Sequence, residues 1–127
     1  MDQTIKKLDF AFFGTGQHKI EADKFLGMDD AVLLDIRAIE EKETIDVKLA
    51  HHFPVIHIPL NELPDRHNEI PKDKLTGIFC SSGVLSAIAF VYLLELGFTK
   101  IKILPGYDEF MEGLLPGKIY KRMQNKE

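Results

Sequence analysis

Gly77-Ile78-Phe79-Cys80-Ser81-Ser82-Gly83-Val84-Leu85-Ser86 is the stretch on which the fold turns. Residues 75–79 form an apolar run of strand length and end at the only cysteine in the chain. Three small residues follow, and then residues 86–96 read as a helix, nearly apolar all round and closed by Gly97. A strand, a tight loop and a buried helix in that order make half of a parallel crossover unit.

Outward from this unit the same alternation recurs. Upstream, residues 31–36 (AVLLDI) are a continuous apolar run, as expected for a strand covered on both faces. Residues 55–58 make a short strand stopped by Pro59, and residues 9–13 another, closed by Gly14 and Gly16. Residues 18–26 read as a helix with Ile20, Phe25 and Leu26 as apolar contacts and Gly27 as its stop. Residues 40–46 are a charged, solvated helix or loop. Residues 61–68 are a helix with Pro64 near its first turn, where a missing N–H costs little. Downstream, residues 100–104 form a strand with one wet face, and residues 108–114 a last helix with Asp108 as cap. The pattern gives an α/β domain with a mainly parallel sheet and helices on both faces. Ligands bind beyond the carboxyl ends of such strands, and Cys80 lies at one of those ends.

Composition narrows the function. The chain has 127 residues, 45% of them hydrophobic, which suits one domain spanning residues 1–127 with a polar tail over residues 118–127. A net charge of −4 argues against nucleic acid as partner. One cysteine excludes an internal disulfide and any site with two thiolates. No segment reads as an export signal, and the longest apolar run, residues 87–94, is far short of the roughly 20 residues of a membrane crossing. The expectation is a soluble cytoplasmic protein without a membrane partner, a monomer or homodimer, with its cysteine kept as a thiol.

The loop carries the chemistry. The first N–H groups of a helix have no partner within it. If residues 81–85 curl around the Cys80 sulfur, those amides and the positive end of the helix dipole make an anion cradle. Gly83 supplies the positive φ that a tight curl requires. A cradled thiolate is a nucleophile, and the same cradle holds a persulfide. A lone cysteine after a strand is also ordinary core composition, so the loop by itself leaves a reactive and an inert thiol both open.

With its neighbours this segment resembles the rhodanese family of sulfurtransferases, over about residues 30–115. Leu33-Leu34-Asp35-Ile36-Arg37 resembles the family's apolar strand ending in Asp-Val-Arg. His51 and His57-Ile58-Pro59-Leu60-Asn61-Glu62-Leu63 resemble its "Gly-His-Ile-x-Gly-Ala … Ile-Pro" stretch, and Phe79-Cys80-Ser81-Ser82-Gly83 its catalytic loop. Leu96-Gly97-Phe98 and Ile103-Leu104-Pro105-Gly106-Tyr107 resemble its "Leu-Gly-Phe … Leu-x-Gly-Gly" ending, with Phe110 where Trp is common. The resemblance implies a rhodanese fold with a five-stranded parallel sheet flanked by helices. It implies that Cys80 accepts a sulfane sulfur and passes it to cyanide or a thiol, with no cofactor. It makes Ser81, Ser82, Gly83, Val84 and Leu85 the substrate cradle, and Asp35, Arg37 and Ser86 structural supports of the site.

Departures from the family pattern shape the expected substrate. The family loop reads Cys-Arg-x-Gly-x-Arg, but its two arginines are Ser81 and Leu85 here. Their loss removes the cations that would bind thiosulfate. A polysulfide or persulfide donor, small or protein-borne, suits Val84 and Leu85 better, with a thiol as acceptor. The family glycines also give way to Ala50, Pro54 and Tyr107.

Rival readings have identifiable weaknesses. A cysteine phosphatase needs Arg six positions after the cysteine, where this chain has Ser86. A non-catalytic partner-binding module fits the missing arginines but leaves the thiol unexplained. A redox sensor would need an outside thiol to resolve it. The five histidines, His18, His51, His52, His57 and His67, lack metal-ligand spacing, so no metal is expected. Asp29-Asp30 and Glu40-Glu41 read as solvated charge, Gly14-Thr15-Gly16 as a turn, and Phe10, Phe12 and Phe13 as core or, if exposed, as a partner surface.

Overall fold

The computed structural model describes residues 1–38, 54–80 and 83–105. Strand β1 (Ala31–Asp35) is buried along its whole length, as its unbroken apolar run requires. Strand β2 (Val55–His57) lies on one side of it and β3 (Leu75–Phe79) on the other; β4 (Ile101–Ile103) follows β3. All neighbours are parallel, in the order β2-β1-β3-β4. Asp35 is level with His57 on one side and Phe79 on the other.

Among the described residues the sheet has four of the five strands expected, with a rudimentary addition at its β4 edge. There Lys19 forms a single parallel bridge to Ile103. Ile20 N–H donates to the Ile103 carbonyl at 3.1 Å, and Ile103 N–H to the His18 carbonyl at 2.8 Å. The chain then turns into a helix, so pairing stops after one bridge.

The amino-terminal elements differ from the sequence expectation. Residues 9–13 are not a strand. Helix α1 (Asp2–Lys6) is followed by α2 (Phe10–Gly14), whose cap Asp9 accepts the Phe12 N–H at 2.9 Å. A local cap decided what a four-residue apolar run left ambiguous. The helix expected over residues 18–26 begins only at α3 (Ala22–Leu26), because Lys19 is held extended by the sheet. Ile20 and Phe25 are buried as anticipated.

Residues 61–68 fall within three short helical pieces: a 3-10 turn (Leu60–Glu62), α4 (Leu63–Arg66) and a second 3-10 turn (His67–Glu69). Pro64 sits in the first turn of α4. Helix α5 (Val84–Glu95) buries Ser86, Ala89, Phe90 and Leu93 but exposes Val84 and Ile88, so it is not buried all round. One side packs on the sheet. At its carboxyl end α1 lies against it, where Thr4 Oγ1 and the chain amino terminus both donate to the Glu95 carboxylate. The expected elements at residues 40–46 and 108–114 lie outside the described residues.

Two apolar clusters flank the sheet. The larger joins Leu34, Ile36, Ile58, Ile78 and Cys80 to Phe90 and Leu93 of α5. The smaller joins Leu33, Phe79 and Leu104 to Phe25 of α3. Gly77 makes the second possible, since a Cβ there would stand 2.6 Å from the Phe25 ring. Both layers pack about strands that converge at Asp35 and Cys80.

Candidate active site

Three strands deliver side chains to the carboxyl edge of the sheet. β1 ends at Asp35, and two residues on Arg37 folds back over it. Arg37 Nε donates to Asp35 Oδ1 at 3.0 Å and Nη2 to Oδ2 at 2.9 Å; the Arg37 backbone N–H also reaches Oδ1 at 3.1 Å. Both residues are buried, Arg37 completely. A buried charge is tolerable only when it is paired and hydrogen-bonded in this way. The guanidinium carbon also stands 5.1 Å from the centre of the Phe79 ring, a cation–π arrangement.

β2 adds His57, whose Nε2 lies 2.7 Å from the Arg37 carbonyl oxygen. A carbonyl only accepts, so Nε2 carries the hydrogen and donates. The backbone ladder continues around these side chains. Ile36 N–H donates to the Phe79 carbonyl, Ile58 N–H to Asp35 and Leu60 N–H to Ile36. His57, Asp35 and Phe79 thus form one rung across three strands, with Arg37 laid over it.

β3 delivers Cys80. Its side chain is 1% exposed and belongs to the larger apolar cluster. Gly83 N–H donates to Cys80 Sγ at 2.9 Å. Gly83 is the residue before α5 and has φ +90°, the left-handed turn that brings its amide round to the sulfur. Ser86 is buried in the first turn, where its hydroxyl donates to the Ile78 carbonyl at 3.4 Å and ties the helix start to β3. Val84 is 63% exposed and Leu85 half-buried at the helix start. Ser81 and Ser82 lie outside the described residues.

The Cys80 sulfur therefore sits between two environments. Apolar side chains of the larger cluster surround it, and a backbone amide at the amino end of a twelve-residue helix faces it. A sulfur that receives a backbone N–H is equipped to hold negative charge or an additional sulfur atom.

The remaining sequence candidates lie apart from this edge. His18 packs on the Phe13 ring at 4.9 Å, and its Nδ1 is buried without a hydrogen-bond partner. Burial, then the charges of Lys19 and Lys102, hold its pKa below the ordinary histidine value. His67 is half-buried in the second 3-10 turn. His51, His52, Glu40 and Glu41 lie outside the described residues. Asp29 is exposed, and Asp30 pairs with Lys74 at 3.5 Å. Among the described residues no three His, Cys, Asp or Glu side chains gather into a metal-binding group. Nor is any of their helices long and apolar enough to cross a membrane.

Of the aromatic cluster, only Phe12 reaches the core, its ring 6.1 Å from Phe90. Phe10 is 92% exposed and Phe13 also faces solvent, which corrects the reading of all three as core. Sequence reasoning had no role for His57 or Phe79. Their common signal is register with Asp35, which a single strand does not carry.

Comparison with known proteins agrees with this architecture. The rhodanese-like domain family matches residues 19–112. The tRNA sulfurtransferase of Aeromonas hydrophila subsp. hydrophila is 35% identical over 75 residues, 59% of this chain and 15% of that protein. This chain spans less than a fifth of the length of the curated relatives it matches. An NAD-dependent persulfide reductase from A. fulgidus superposes with a TM-score of 0.59 at 36% identity, covering 79% of this chain and 17% of that one. A rhodanese-related protein from Thermoplasma volcanium superposes with a TM-score of 0.61 at 25% identity, over 78% of this chain and 95% of its own. A parallel sheet with Cys80 at its carboxyl edge, together with a family match over most of its length, places the chain in the rhodanese-like domain family.

Proposed function

We propose that Cys80 is a sulfur carrier: it takes a sulfane sulfur from a persulfide or polysulfide and passes it to a thiol or cyanide. The observation that carries this reading is the Gly83 N–H aimed at Cys80 Sγ from 2.9 Å at the end of the central strand. The Cys80 thiolate attacks the outer sulfur of a donor R–S–SH. The S–S bond of the donor breaks, R–S⁻ leaves, and the proton goes to solvent or the leaving thiolate. The outer sulfur of the Cys80 persulfide is then attacked by the acceptor. Cyanide leaves as thiocyanate, and the Cys80 thiolate returns. No net oxidation occurs, so no cofactor is needed. Sulfur transfer named in its relatives supports the reaction class.

Val84 and Leu85 favour an apolar or protein-borne donor over thiosulfate, because residues 81–86 include no arginine or lysine. Ser81, Ser82, Gly83, Val84 and Leu85 form the cradle in this proposal, and Asp35, Arg37 and Ser86 hold its base. A domain spanning residues 1–127, acting in the cytoplasm as monomer or homodimer, is part of the same reading.

One observation favours a second reading. A cysteine residue that is 1% exposed is in the environment of an inert thiol, which would make the chain a non-catalytic partner-binding module. Mass spectrometry of the protein after polysulfide treatment separates the two. Sulfur transfer requires one added sulfur on Cys80, released by cyanide as thiocyanate. A Cys80 that stays unmodified overturns it and leaves the module.

A further inference from the structure

We infer that His57 is a positioning residue for Cys80, acting through Arg37; the inference rests on the sulfur-carrier reading above. Its contact is with backbone, not with a reacting atom. His57 Nε2–H donates to the Arg37 carbonyl at 2.7 Å across two strands. That carbonyl lies just beyond the end of β1, next to the Ile36 carbonyl, which accepts at 3.2 Å from Leu60 N–H of the 3-10 turn that follows β2. His57 thus extends the ladder by one side-chain bond and fixes where the chain leaves β1.

What it fixes matters for the sulfur. The Arg37 side chain is locked to Asp35 by two guanidinium bonds and covers the Phe79 ring. Phe79 is bonded covalently to Cys80, and its carbonyl accepts from Ile36 N–H at 3.2 Å. The residues on both sides of Arg37's fold-back therefore bear on the backbone that aims Sγ at Gly83. His57 is half-buried on its strand, while Asp35, Arg37 and Phe79 are buried. It is the outermost clamp on an otherwise buried set. Loss of that clamp lets the Arg37 backbone relax, and a small displacement of a nucleophile has a large effect on rate.

The side-chain chemistry makes a specific test. Gln places an amide N–H close to the position of His Nε2, whereas Leu has similar bulk and no donor. Single-turnover transfer from polysulfide-loaded Cys80 to cyanide is measured for wild type, His57→Leu and His57→Gln, with iodoacetamide alkylation of Cys80 and thermal melting in parallel. His57→Leu is expected to slow transfer about tenfold, the equivalent of one net hydrogen bond at its upper range. His57→Gln is expected to restore it to within about twofold at an unchanged melting temperature. A Leu variant as fast as wild type, or a Gln variant no faster than Leu, overturns the inference. If wild-type Cys80 loads no sulfur, the sulfur-carrier reading falls instead. The alkylation rates then decide His57: an altered rate in Leu restored by Gln supports its role, and equal rates in all three proteins refute it.

Discussion

Two neighbouring regions at the carboxyl edge of the sheet handle charge in opposite ways. The rung formed by His57, Asp35 and Phe79 holds a full ion pair, with the Arg37 guanidinium completely buried and bonded to a carboxylate. Beside it, the left-handed turn at Gly83 offers the Cys80 sulfur a backbone amide, and Val84 leaves an apolar side chain exposed at the start of α5. A guanidinium stands near the strand that ends at Cys80, yet its bonds to Asp35 commit it to structure. The lesson is that a charged group in a site cannot be counted toward substrate binding until its own partners are known. If the comparison is right, damage to the rung appears mainly as instability, and damage to the turn mainly as altered sulfur chemistry.

The largest effect belongs to the rung. Asp35→Ala leaves a buried guanidinium without its carboxylate, and removal of one partner of a buried pair costs about 3–5 kcal/mol. Urea denaturation followed by circular dichroism checks this. A loss below about 1 kcal/mol, the range of surface pairs, would mean that Arg37 is not committed as described. The exposed pairs of Arg66 with Glu62 and Glu69 provide the contrast, since their removal should scarcely move the midpoint.

The turn was more legible in the sequence than the rung. Strand, small-residue loop and apolar helix follow one another around Cys80, and each is local information. Gly83 was identifiable because a curl toward the sulfur needs positive φ, which it has. Asp35 and Arg37 stand in a stretch that carries the resemblance, but the partner of the Arg37 carbonyl, His57, comes from another strand and the ring under its guanidinium, Phe79, from a third. Only register brings those together. The amino terminus was misread for the opposite reason: Asp9 capping Phe12 is a local bond that outweighed a short apolar run. Likewise Lys19 was drawn from a helix by pairing with Ile103, a residue far along the chain.

The next effect tests whether missing charge limits the turn. Leu85→Arg places a cation in the first turn of α5, where the side chain is half-buried. Thiosulfate turnover, assayed as thiocyanate release, should rise about tenfold, since a charge-assisted bond contributes about 1.5–3 kcal/mol before the entropy of ordering the side chain. Persulfide transfer should change far less. Efficient thiosulfate use by the wild type would show that Arg37 or another cation already serves the turn, and the comparison would break.

The smallest effect sharpens it most. Gly83 and Gly97 both have positive φ, +90° and +94°, at the two ends of the same helix. A Cβ at Gly83 would meet nothing within 4 Å, and one at Gly97 would meet only the end of the Lys72 side chain at 3.9 Å. Alanine at either position therefore imposes backbone strain without a clash, about 1–2 kcal/mol in each case. As stability mutants, Gly83→Ala and Gly97→Ala should be indistinguishable by denaturation. They should differ in chemistry, because only Gly83 donates its amide to Cys80 Sγ. Polysulfide loading of Cys80 should slow in Gly83→Ala and stay at the wild-type rate in Gly97→Ala. Equal loading rates in the two variants would mean that the amide contributes nothing to the sulfur beyond the stability of the helix it begins.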